Sequence, residues 1–164
     1  MTLCQTLTID FEDEVKNTRK LLERVPMDDA HRAYQPHPKS MSLERLATHV
    51  AELPGWPKYA LESEVLQLPM DFKPTIAASS EELLAMFDKA AAEGRAAIAG
   101  ATDEDMTKTW TFKFGDVFSM TEPRPNVVRS FLNHMVHHRA QLGVYLRLND
   151  IAIPGMYGPS ADEH

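Results

Sequence analysis

The feature that most constrains the fold is a long helical pattern near the C-terminus, from about Asn126 to Leu148. It bears two adjacent stripes. One is Val128, Leu132, Met135, Leu142 and Leu146; the other is Phe131, His134, His138, Gln141 and Tyr145. Together they are wide enough to face the inside of a helical bundle. The second stripe places histidine where a core helix ordinarily carries apolar side chains.

Three further patterns supply partners for that helix. Phe11, Val15, Thr18, Leu22 and Val25 recur at steps of four and three, which predicts a helix from Asp10 to Val25, ended by Pro26. Ser40 or Ser42 reads as the N-cap of a second, with Leu43, Leu46, Ala47, Val50 and Leu53 on its buried face. Pro54-Gly55-Trp56-Pro57 should kink or break it, since proline lacks the helical N–H and clashes with the preceding turn. Helix then resumes through Tyr59, Leu61, Val65 and Leu66. Ser79 with Glu82 offers a capping box for a third, whose buried face is Leu84, Phe87, Ala91 and Ile98. Residues 27–39 and 68–79 read as proline-containing loops. Thr109 to Phe114 alternates and could be a short strand or an extended loop; a strand there has no obvious partner, so no sheet is inferred. The tail from Ile151 to Pro159 is too apolar for a free end and is expected to dock. The expected architecture is all-α: one domain over residues 1–164, a four-helix bundle with long connections and a docked C-terminal tail.

Composition excludes some functions. The net charge is −7 over 164 residues, with no basic run, which argues against nucleic acid as the partner. No segment approaches the run of about 20 apolar residues that spans a membrane. The first residues lack a signal peptide's apolar stretch, because Asp10, Glu12, Asp13 and Glu14 follow closely. The single cysteine, Cys4, fits a reducing compartment. A cytoplasmic protein acting on a small molecule is the expectation.

Seven histidines are present, and they are not equivalent. His134 and His138 are one helical turn apart on one face, a spacing that lets two imidazoles grip one ion. The plainer alternative is a pair of buried, hydrogen-bonded histidines. His49 sits beside the inward face of the second helix and can complete a tripod. His137 competes with His138, being three residues from His134, but is rotated about 100° off the inward stripe. His31, His37 and His164 read as solvated. Three neutral imidazoles suit a divalent ion, with zinc or nickel as the first candidates, and leave a coordination position open as catalytic sites do. Glu52, three residues after His49, is a candidate acceptor for an imidazole N–H, a general base or a substrate-binding group, or else a solvated carboxylate. Trp56 is a candidate pocket wall or simply a packing residue. Gln141 continues the histidine stripe and could orient a ligand or bind substrate. Arg139 faces away and reads as an ion-pair or capping residue.

Asn133-His134-Met135-Val136-His137-His138-Arg139-Ala140-Gln141 resembles the Asn-His-x-x-x-His-Arg-Gly-Gln signature of the DinB/YfiT-like family. Ser42 to Leu53 is similar to that family's first histidine helix, and Pro154 to Glu163 resembles the tail of one subgroup. Ala140 departs from the usual glycine. The resemblance implies a DinB-like four-helix bundle, often a homodimer, with His49, His134 and His138 holding a metal; it decides against His137. Some members resemble transferases and isomerases that use bacillithiol, mycothiol or glutathione. The expected function is therefore a metal-dependent S-transferase joining a low-molecular-weight thiol to a small electrophile. A metal-dependent hydrolase, or a non-catalytic stress-associated metal-binding protein, is the alternative.

Overall fold

The computed structural model describes residues 2–163, so His164 lies outside the described residues. The first helix, α1, spans Leu3–Leu22. It starts two turns before the predicted Asp10. Thr2 and Gln5 close a reciprocal capping box, with Gln5 N donating to Thr2 Oγ1 at 3.2 Å and Thr2 N donating to Gln5 Oε1 at 2.9 Å. Leu7 extends the buried stripe of Phe11, Val15, Thr18 and Leu22.

Helix α2 runs Leu43–Glu52 and is capped by Ser42, whose hydroxyl accepts from Arg45 N. Pro54 then forces a turn of 3-10 helix over Leu53–Gly55, and α3 restarts at Trp56–Glu62. Helix α4 covers Ser80–Gly100, with Ser79 Oγ accepting from Glu82 N at 3.2 Å. The Glu82 carboxylate returns to Ala78 N at 2.6 Å rather than to Ser79, and Leu83, not Leu84, is the fully buried leucine of its first turns. The last helix, α5, spans Arg124–Leu148. These helices pack as four passes, α2 and α3 making one broken pass, around a core that includes Phe11, Leu46, Leu53, Phe87, Met135 and Leu142.

The fold is not all-α. A three-stranded sheet joins the helices, in the order β1 (Val65–Leu68), β2 (Thr109–Phe114) and β3 (Phe118–Pro123). β1 pairs parallel with β2, and β2 pairs antiparallel with β3 across a turn at Gly115, where φ is 50°. The all-α expectation failed for two reasons. Val65 and Leu66 read in sequence as a continuation of the preceding helix, because a short apolar run carries no period that separates strand from helix. The partner that completes β2 from the other side lies more than forty residues away in sequence, out of reach of any local pattern. The sheet packs on α3 and α5 through Ala60, Trp110 and Val127, with Phe131 alongside.

The tail folds back on the bundle. Ile151, Ile153 and Met156 pack against the core, and Asp162 accepts from Arg147 Nη2 at 2.6 Å and from Ile153 N at 2.9 Å. The Tyr157 hydroxyl lies 2.7 Å from Glu14 Oε1 and 2.6 Å from Arg139 Nη2, joining the tail to α1 and α5. Among the described residues no helix is long and apolar enough to cross a membrane.

Candidate metal centre

His49, His134 and His138 converge where α2 crosses α5, and each offers a ring nitrogen within 4.8 Å of the other two. His49 is buried, 9% exposed, and forms the floor, while His134 and His138 are partly exposed on the side towards solvent. His49 Nε2 and His134 Nε2 are 3.1 Å apart. Two nitrogens bound to one tetrahedral ion at ordinary zinc–imidazole distances would stand roughly 3.3 Å apart, so this separation is that of a ligand pair as well as of an N–H···N hydrogen bond. His138 Nδ1 lies 2.7 Å from Gln141 Oε1. A glutamine oxygen can only accept, so Nδ1 carries the proton and the lone pair is on Nε2.

The break after α2 completes the wall. Because Pro54 ends one helix and Trp56 begins the next, the indole is swung across the site. It stacks on His134 with ring centroids 5.4 Å apart and planes at 27°, and meets His49 at 5.5 Å and Phe131 at 5.4 Å in edge contacts. Gly94 of α4 lets that break come close: a Cβ there would stand 1.9 Å from Pro54 O.

The electrostatics favour neutral imidazoles. Burial, then His138, His134 and Arg45, pushes the His49 pKa down to about 3. Burial, then His138 and His137, takes His134 down to about 4. His138 is lowered mainly by burial, with the Gln141 hydrogen bond opposing. Imidazole binds a metal in its neutral form, so the chemistry of this donor set fits a divalent ion. His49 Nδ1 is buried and makes no hydrogen bond.

The other sequence candidates divide. Gln141 meets a histidine and orients it. Trp56 lines the site. Glu52 bonds to no histidine; its nearest cation is Arg45, with Nη1 to Oε2 at 4.0 Å, and burial raises its pKa. His137 is exposed and meets His138 edge-on at 4.9 Å, outside the converging group. His31 pairs with Asp28, and His37 Nδ1 accepts from Lys39 N. Arg139 is 3% exposed and ion-paired to Glu14 at 2.6 Å, on the side of α5 away from the histidines. Sequence reasoning missed Arg45. It precedes His49 by one turn, and that spacing alone puts it on the histidine face of α2.

The DinB family profile matches residues 3–164. The chain belongs to the DinB family. Solved structures agree on the fold. A DinB-like protein from Bacillus cereus is 19% identical, with a TM-score of 0.71, over 93% of this chain and 97% of that one. A DinB-like protein from Bacillus subtilis, also 19% identical, has a TM-score of 0.67 over 92% and 96%. A protein described as a DinB family member from Exiguobacterium sibiricum is 18% identical, with a TM-score of 0.67 over 100% and 99%. No curated protein matches the sequence. A groove of about 740 Å³ in this DinB protein lies elsewhere, between α1, α5 and the tail. Its lining includes Asp10, Asp13, Lys20 and Arg129 and none of the three histidines.

Proposed function

We propose that this protein is a metal-dependent enzyme of the thiol S-transferase type, in which His49, His134 and His138 bind one divalent ion, zinc or nickel, and a small electrophile is joined to a low-molecular-weight thiol. The observation that carries it is the convergence of three neutral imidazoles, from two helices, on a point open to solvent on one side. A structural zinc site is ordinarily closed by a fourth protein ligand, and among the described residues no fourth His, Cys, Asp or Glu joins the group. Bound there, the ion would supply Lewis acidity, stabilising a thiolate or acidifying water.

The chain's own residues set the rest. Gln141 holds His138 in the tautomer that presents Nε2. Trp56 and Phe131 wall the site and keep bulk water from one flank. Glu52, half-sheltered and with its proton held more tightly than usual, stands on the same face of α2 and is suited to moving a proton at the rim.

The test is activity of zinc- and nickel-loaded protein with glutathione, bacillithiol or mycothiol and a set of alkyl and aryl electrophiles. Thiol consumption that requires metal, and that His49→Ala, His134→Ala and His138→Ala each abolish while the fold survives, is the expected result. Ester hydrolysis without thiol would replace the transferase by a hydrolase. Stoichiometric metal with neither activity would leave a non-catalytic metal-binding protein. A homodimer belongs to the same proposal and is read by light scattering on the purified protein.

A further inference from the structure

One charged group at the site is only half-partnered. Arg45 projects along the face of α2 that carries His49 and Glu52, and its side chain is 24% exposed. Its Nη1 is buried and makes no hydrogen bond. The carboxylate nearest to it, Glu52 Oε2, stands 4.0 Å away, too far for one. Arg45 stands one helical turn before His49, so the guanidinium and the imidazole share one face of α2. A charged N–H buried without an acceptor, as at Arg45 Nη1, is unfavourable, and an anion arriving beside the partly exposed guanidinium relieves it.

We propose that Arg45 is the anion-binding residue of this site, and that the small molecule acted on beside the histidines carries a carboxylate that the Arg45 guanidinium receives. The proposal rests on the reading above for what happens at the histidines, but not for the anion itself. Arginine's planar fork matches a carboxylate in two parallel hydrogen bonds. A single guanidinium, with Glu52 as its neighbour, suits one negative charge better than the two of a phosphate monoester. An electrophile or thiol held by its carboxylate at Arg45, one turn from His49, would have its reactive end fixed against the three imidazoles. Arg45 is thus a specificity residue that touches the substrate away from the reacting atoms.

The experiment is titration calorimetry with acetate and benzoate, against acetamide and benzamide as neutral isosteres. It is run on zinc-loaded and on metal-free wild-type protein, Arg45→Met and Arg45→Lys, with zinc content measured in each. The expected result is that metal-free wild type binds the carboxylates at least tenfold more tightly than the amides. Arg45→Met should erase that preference, Arg45→Lys should restore part of it, and zinc stoichiometry should stay unchanged in both variants. Equal affinity for benzoate and benzamide in wild type would overturn the proposal. So would carboxylate binding that survives Arg45→Met in the metal-free protein, or no carboxylate binding by wild type at all. Loss of zinc binding by wild type, with the carboxylate preference intact, would instead defeat the metal reading and leave Arg45 as an anion site. Circular dichroism of both variants separates misfolding from loss of recognition, and Arg45→Lys keeps the question decidable if Arg45→Met does not fold.

Discussion

At the scale of single residues, the site depends on which nitrogen of each imidazole is free. Gln141 settles this for His138 by accepting from Nδ1 at 2.7 Å. Replacing an outer partner of a metal-binding histidine typically weakens metal affinity by about 10–100-fold. Gln141→Leu is therefore expected to weaken zinc binding in that range while His137→Ala leaves it unchanged, as read by competition with a chromophoric chelator. The buried histidines also give a pH dependence. The His49 pKa falls to about 3 from an ordinary 6.5, so between those values the unfolded chain takes up a proton that the folded chain refuses. Stability from this group is complete above about pH 6.5 and is lost as pH falls towards 3, with His134 adding in the same direction. Urea unfolding of metal-free protein at intervals from pH 7 to 4 should show wild type losing stability more steeply than His49→Gln. Parallel slopes would mean that His49 titrates freely in the folded protein.

At the scale of elements, the helices were legible because their signals are local. Of the two caps the sequence offers, Ser42 is the one that starts α2; Pro54 breaks the helix as expected, and of strand or loop at Thr109–Phe114 the strand is formed. The sheet was not legible: β1 carries Val65, Leu66 and Leu68 without a period of its own and finds its partner only after α4 has crossed, and β3, though joined to β2 by a short turn, is mostly exposed and has no apolar stripe to mark it. The start of α1 was missed because its cap is Thr2 with Gln5, ahead of the stripe used to find the helix. The three histidines could be singled out from a one-turn spacing and an inward face, but their separations could not, nor could the stacking of Trp56 on His134. That stacking depends on a break held against α4 at Gly94. Overpacking a close backbone contact destabilises by about 1–3 kcal/mol or more. Gly94→Ala should lower stability by at least that much in a denaturant titration, and should weaken metal binding as the break moves away from α4. Unchanged stability would show that α4 and the break are not in contact in solution.

At the scale of the whole molecule, one buried ion pair ties distant parts of the chain together. Arg139, 3% exposed, meets Glu14 of α1 at 2.6 Å, the Thr18 hydroxyl at 3.2 Å, and Tyr157 of the tail at 2.6 Å. It lies next to His138 in sequence, so the contact that docks the tail also fixes the rotation of α5 about its axis. Removing one member of a buried pair leaves the other charge uncompensated and destabilises by about 3–5 kcal/mol. Arg139→Met is expected to destabilise by about that amount in urea unfolding, and Tyr157→Phe by less, since the Arg139–Glu14 pair survives it. A change below about 1 kcal/mol for Arg139→Met would mean that water reaches the pair. The most direct single measurement is the metal content of untagged protein, by elemental analysis, beside its His138→Ala variant. About one divalent ion per chain in the wild type, and none retained by the variant, is the expected result. A wild type that stays metal-free after incubation with zinc and nickel would reduce the three histidines to core packing, and the proposed chemistry would fall with them.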